Sequence, residues 1–308
     1  MKRRSLLILI VGLLPVLLAA ATAAPTEKMF NGQVTSLAAG GSSLAERSAA
    51  ACRQWAAGKP GSTFFTAWAF PACEPIRSCR ESAGDRHHGP VAVRVRGGRI
   101  SVHEDGGEGL TISDGPGEKR NPVSWGVLLF LHEVKNGGCQ VVDMDVLAPE
   151  RAYDLGGERL AWLGTADEEH GLEFLRSLSA AAGRTLREEL VFVFYLFNGP
   201  AAVADLIGLA RRDPDTEIRK DAIFWLGQKA SAAAVAALGE VIASPEALEI
   251  KKAAVFALSQ LPAETGTPML LRIARQNPQP RLRQEAIFWL GQSGDPRALD
   301  FFEEILLK

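Results

Sequence analysis

The sequence predicts an α+β multidomain protein in which a small β-rich N-terminal domain precedes an α-solenoid of stacked helix pairs. Three observations carry this expectation. Apolar residues alternate with period two from about 62 to 147, the period changes to 3.6 after residue 155, and the last part of the chain is self-similar at a shift of 32 residues. With 308 residues and 47% hydrophobic content, the chain has enough apolar surface for a large core, and its length fits two domains.

Residues 1–23, MKRRSLLILIVGLLPVLLAAATA, place three basic residues before an apolar run from Leu6 to Ala20 and end in Ala21-Thr22-Ala23. This is the order of a secretory signal peptide, with cleavage expected after Ala23. Gly12, Pro15 and the small-residue end favour removal over retention, so membrane contact is expected only if the segment stays uncleaved. The expected location is exported, periplasmic or secreted. Loss of Lys2, Arg3 and Arg4 takes the formal charge from −2 to −5 and leaves no long block of like charge, which argues against nucleic acid as a partner.

The β-rich domain is read over 24–154. An Ala-rich helix near 42–57 carries Cys52. Strands follow at STFFTAWAF (62–70), at VAVRVR (91–96) and RISVHE (99–104) on either side of Gly97-Gly98, at SWGVLLFLHEV (124–134), and at VVDMDV (141–146) after the turn signal NGG. The stretch 104–121 reads as loop around a short strand, GLTIS. All four cysteines, Cys52, Cys73, Cys79 and Cys139, precede residue 140, and an oxidising compartment would pair them. Three connectivities are possible; one closes CEPIRSC through Cys73 and Cys79 and leaves Cys52 with Cys139, and the sequence alone does not choose. No C-x2-C or H-x3-H spacing is present, so neither zinc nor any other cofactor is expected.

Residues 155–182 are expected to form a helical connection that caps the array, because AWLG (161–164) echoes WLG (225–227) and GLEFLRSLSAA (171–181) has helical periodicity. From 183 to 308, LVFVFYL (190–196), AIFWLGQ (222–228), AVFALSQ (254–260) and AIFWLGQ (286–292) fall into one frame. Each begins a unit of two amphipathic helices. A pair of this kind cannot bury its own apolar stripe and must stack on its neighbours, so about four helix pairs form a solenoid.

This half of the chain resembles the HEAT-repeat family, as found in exported bacterial proteins with such repeats at the C-terminus. The family pattern sets an acid in the turn and a base six residues later in the next helix. Asp213 and Arg219 match it; Asn277 and Arg283 match it with an amide for the acid. Arg187 and Lys251 supply the base at the other two steps, where Ala181 and Pro245 stand in place of the acid, so the polar ladder between neighbours is expected to be incomplete there. The resemblance implies architecture and a scaffold role rather than an activity. The β-rich half resembles no family.

Candidate chemistry is thin. His132-Glu133 and Asp143/Asp145 lie on strands expected to be adjacent, but no H-E-x-x-H follows, and alternating Asp is the pattern of a solvated strand face. His87-His88 beside Asp85, His103-Glu104 and His170 have no readable second partner. Nucleophile and phosphate-loop motifs are missing from the sequence. On a helical wheel Ala222, Trp225 and Leu226 face the core, with Ile223 at its edge, whereas Phe224 points outward, and with it Phe192, Phe256 and Phe288 at the same place in each unit. These four phenylalanines are the candidate binding residues. The expectation is therefore a non-catalytic scaffold of the cell envelope that binds a protein or peptide; the alternative is an enzyme with its site in the β-rich domain or at its junction with the repeats.

Overall fold

The computed structural model describes residues 24–38, 42–56, 60–72, 76–78, 91–96, 99–103, 110–112, 124–135, 138–149 and 151–307. The expected signal peptide, Cys73, Cys79, Asp85, His87, His88, the Gly97-Gly98 turn, Glu104 and the side chain of His103 lie outside them.

Strand β2 (Thr63–Ala72) shows why a sheet forms at the centre of the N-terminal half. Aromatic and β-branched residues suit the pleat, and their alternation feeds two cores. Phe64, Trp68 and Phe70 enter one apolar cluster, while Phe65, Ala67 and Ala69 enter another on the opposite face. β7 (Ser124–Lys135) pairs antiparallel with β2 and divides in the same way, Leu128 and Phe130 to one side and Val127, Leu129 and Leu131 to the other. β8 (Gly138–Leu147) continues the sheet beyond β7. Through β9 (Tyr153–Thr165) the sheet reaches the antiparallel pair β4 (Val91–Arg96) and β5 (Arg99–His103). The path runs β5-β4-β9-β2-β7-β8, with β1 (Phe30–Ser36) parallel to β9 as the seventh strand; β3 (Ile76–Ser78) and β6 (Leu110–Ile112) make a separate pair.

β9 corrects the sequence reading. AWLG (161–164) is strand rather than an echo of the helical WLG, and it joins the sheet through Phe65↔Leu160, Thr66↔Ala161 and Ala67↔Trp162. The helical connection expected from 155 begins only with α2 (Glu168–Ala181). The physical reason is pairing: β9 lies between strands on both sides, and a ladder of backbone hydrogen bonds overrides the local Leu and Ala preference for helix.

Helix α1 (Leu44–Trp55) starts at a capping box of Ser43 and Glu46 and packs against the sheet. After α2, helices α3 (Arg184–Leu196) and α4 (Pro200–Arg212), α5 (Thr216–Lys229) and α6 (Ala232–Ala243), α7 (Leu248–Ser259) and α8 (Ala263–Gln276), and α9 (Pro280–Gln292) and α10 (Pro296–Leu306) form four pairs. The first members stack on one another in the order α3, α5, α7, α9. Sheet and solenoid share one apolar core. Trp68 packs on Phe174 and Phe197, Phe70 stacks on Phe197 at 4.8 Å, and a methyl group on Gly171 would sit 2.8 Å from the Trp68 ring, so α2 reaches the sheet only because Gly171 lacks one. No helix among the described residues is long and apolar enough to cross a membrane.

Candidate functional site

The polar ladder runs in the opposite direction from the one read in sequence. Both oxygens of Asp213, the residue that ends α4, accept from the Arg187 guanidinium at 2.9 Å, so the acid pairs with the base of its own unit, not with Arg219. Asp213 also accepts from the backbone N–H of Asp215 and so shapes the turn into α5. Arg219 pairs with Glu246 at 2.5 Å and donates to the Ala210 carbonyl. The gap expected at Pro245 is thus filled by the next residue. Asn277 repeats the turn-forming role of Asp213 by accepting from Gln279 N–H, while Arg283 donates to the carbonyls of Asn277 and Pro278. Lys251 is buried at the matching place in α7.

The aromatic residues of α3, α5, α7 and α9 form a continuous row. Trp225 touches Phe192 (5.1 Å between ring centroids), Tyr195 (4.6 Å) and Phe224 (5.0 Å). Phe224 stacks on Phe256 at 6.3 Å, Phe256 meets Trp289 at 4.8 Å, and Trp289 meets Phe288 at 4.9 Å. Phe192, Phe224 and Phe256 are half-buried and Phe288 is 55% exposed. The sequence reading pointed all four phenylalanines outward and put Trp225 in the core, whereas three of the four are half-covered by rings of the next helix and only Phe288 is exposed. Trp225 is half-buried and bridges two repeats, as Trp289 does two repeats on. The identical Phe-Trp pairs at 224–225 and 288–289 were the signal for this. Lys229 lies 4.9 Å from the Tyr195 ring centroid, a cation-π contact.

Acidic groups gather beside the α3–α5 end of the row. Arg184 bridges Glu188 and Asp215, and Lys220 pairs with Glu217. Asp221 is left with excess negative charge around it: burial, then Glu188, Glu217 and Asp215, push its carboxyl above the usual range. Toward α9 the charges balance, since Glu285 accepts from the Trp289 indole and meets Lys252.

At the junction of sheet and solenoid the expected solvated face of β8 is not solvated. Asp143 is 2% exposed; its carboxylate accepts from Ile100 N–H at 2.5 Å on β5 and faces Glu189 of α3. Arg99 bonds Glu189 at 3.1 Å and lies 3.9 Å from Asp143 Oδ1, while Asp143 Oδ1 and Glu189 Oε2 accept no hydrogen bond among the described residues. Burial first, and the Asp143 carboxylate second, push Glu189 up to about 8. Burial also raises Asp145 to about 6. The physical reason is the approach of the two ends of the sheet path, β5 and β8, with α3 laid against β8, which no strand pattern reveals. His132 does not converge with these acids. It stands opposite Val141, whereas Asp143 and Asp145 stand opposite Leu131 and Leu129, whose side chains enter the other core. Among the described residues no three His, Cys, Asp or Glu side chains gather as a metal site requires. His170 bonds Asp167 at 2.7 Å at the exposed start of α2. Cys52 and Cys139 form a disulfide that ties α1 to β8.

The fold and these surfaces define a class: a mixed β-sheet fused to an α-solenoid of stacked helix pairs. Within the solenoid the family model describing HEAT repeats matches residues 203–287 and 248–308, so the array from α4 onward is similar to HEAT repeats. None of the curated proteins matches the chain. Stacked helix pairs of this kind generally serve as protein-interaction scaffolds through their extended surfaces.

Proposed function

We propose that the chain is a non-catalytic scaffold of the cell envelope whose HEAT array binds a protein or peptide along the aromatic row of α3, α5, α7 and α9. The observation that carries the reading is the row itself: linked rings on successive repeats, half-buried and ending in the exposed Phe288. Contiguous apolar surface of this kind marks interaction sites, and aromatic residues dominate binding energy where they do occur at interfaces. The acid surplus around Asp221 favours a partner segment with apolar side chains followed by a basic one. An exported location accords with the N-terminal pattern and with the Cys52–Cys139 disulfide, which persists in oxidising compartments.

The test is affinity capture from the native envelope with the wild-type chain and with a Phe224→Ala, Phe256→Ala, Phe288→Ala variant. A partner retained by the wild type and lost by the variant, with its binding weakened by added salt, is the expected result. Partners captured equally by both would remove the row from the reading.

A further inference from the structure

Between α1 and α2, over the sheet, lies a cleft of about 340 Å³. The Cys52–Cys139 disulfide lines one part of it, and Phe174, Leu178 and Leu186 line another. Exposed at its mouth are Ala45 and Ala49 on α1, Ser177 and Ala181 on α2, and Gln140 on β8. Among the described residues no Asp, Glu, Lys or Arg side chain lines it.

Two buried polar residues also line it, Ser48 and His132. His132 is 4% exposed, with its ring stacked on Phe64 at 4.7 Å and its Nε2 2.9 Å from the Thr66 hydroxyl. The other ring nitrogen has no protein partner among the described residues. His132 lines the open cleft, where a guest can supply a hydrogen bond to that nitrogen. Burial holds the imidazole neutral, down to about 4. A charged guest would therefore lose its hydration here without meeting an opposite charge. Concave sites of a few hundred Å³ with apolar walls, one or two placed polar groups and a position between structural units are those that take small molecules.

We propose that this cleft binds an uncharged, largely apolar small molecule that sets one hydrogen-bonding group against His132. It is separate from the aromatic row and does not rest on the scaffold reading. The test is a fluorescence titration of the full chain with N-phenyl-1-naphthylamine, a neutral two-aryl amine. Saturable enhancement is expected, and Ser177→Trp or Ala49→Trp, each at an exposed lip, weakens it at least about tenfold with melting temperature unchanged. The sulfonated analogue 8-anilinonaphthalene-1-sulfonate binds at least about tenfold more weakly. Phe224→Ala with Phe256→Ala leaves the titration as it was. Absence of saturation, equal affinity in both tryptophan variants, or equal affinity for the sulfonate overturns the proposal. Loss of signal in the phenylalanine variant overturns it too, by moving the probe to the row.

Discussion

Asp213 and Glu189 show how differently two buried carboxyl groups act. Asp213 is matched by Arg187, whose Nη1 donates to both carboxylate oxygens, and breaking a buried pair costs about 3 kcal/mol because the remaining charge stays buried. A double-mutant cycle locates the partner: Asp213→Ala and Arg187→Met should couple by about 1–3 kcal/mol, whereas Asp213→Ala and Arg219→Met should add nearly independently. Coupling to Arg219 instead would restore the direction read from sequence. Glu189 is pushed toward its protonated form, by burial first and by the Asp143 carboxylate second. Its folded-state pKa lies above that of the unfolded chain, so between the usual glutamate range and about 8 the folded state holds more protons, and stability falls as pH rises through that window. An amide can donate to Asp143 as the protonated acid does. Glu189→Gln should therefore melt higher than wild type at pH 9 by at least about 2 °C, with the difference shrinking toward pH 5. A difference that stays constant with pH would show that the pair does not titrate. His132 works in the other direction: it stays neutral down to about 4, so its burial withdraws stability as pH falls from the ordinary histidine range toward that value.

Among the helices, position in the array outweighs local sequence. α5 and α9 carry the same motif, AIFWLGQ, yet its glycine has different neighbours in each. A methyl group on Gly227 would lie 2.8 Å from the Ala257 carbonyl oxygen, because α7 stacks on α5 there; one on Gly291 would meet nothing nearer than Phe302 at 3.9 Å. Gly227→Ala should cost about 1–3 kcal/mol by overpacking the contact between repeats. Gly291→Ala should instead gain up to about 1 kcal/mol through helix propensity. Chemical denaturation of the two variants decides this, and equal effects would mean that the α5–α7 approach is looser than described. The same logic explains the phenylalanines. Three are half-covered by rings on the next helix, and Phe288, which no later repeat covers, is exposed, so Phe288→Ala should change stability by less than about 0.5 kcal/mol.

At the scale of the whole molecule, sheet and solenoid are joined by a common core through Trp68, Phe174 and Phe197, and by the Asp143–Glu189 contact. The disulfide spans 87 residues and fastens α1 to the strand that faces α3. Closing so long a loop restricts the unfolded chain, and its removal by Cys52→Ala with Cys139→Ala should cost about 2–4 kcal/mol. Unfolding monitored with and without reductant checks the assignment: reductant should lower the wild-type midpoint by about as much as the substitution does and leave that of the variant in place.

The sequence by itself determined the period-two strands, the four helix pairs, the line of phenylalanines and the possible pairing of Cys52 with Cys139, because each is a local periodicity or a count. It left β9 as helix, since a strand held by partners on both sides takes its conformation from pairing rather than from its own residues. It set Asp213 against Arg219 because spacing along the chain gives two residues' separation but not which helix face meets which turn. It read Asp143 as solvated because alternation separates the two faces of a strand without saying what covers either. Only the tertiary structure decided these points: the approach of β5 and β8 and the laying of α3 against β8 remove the water that a carboxylate on an open strand would keep, and burial raises both Asp143 and Glu189 above the usual carboxyl range.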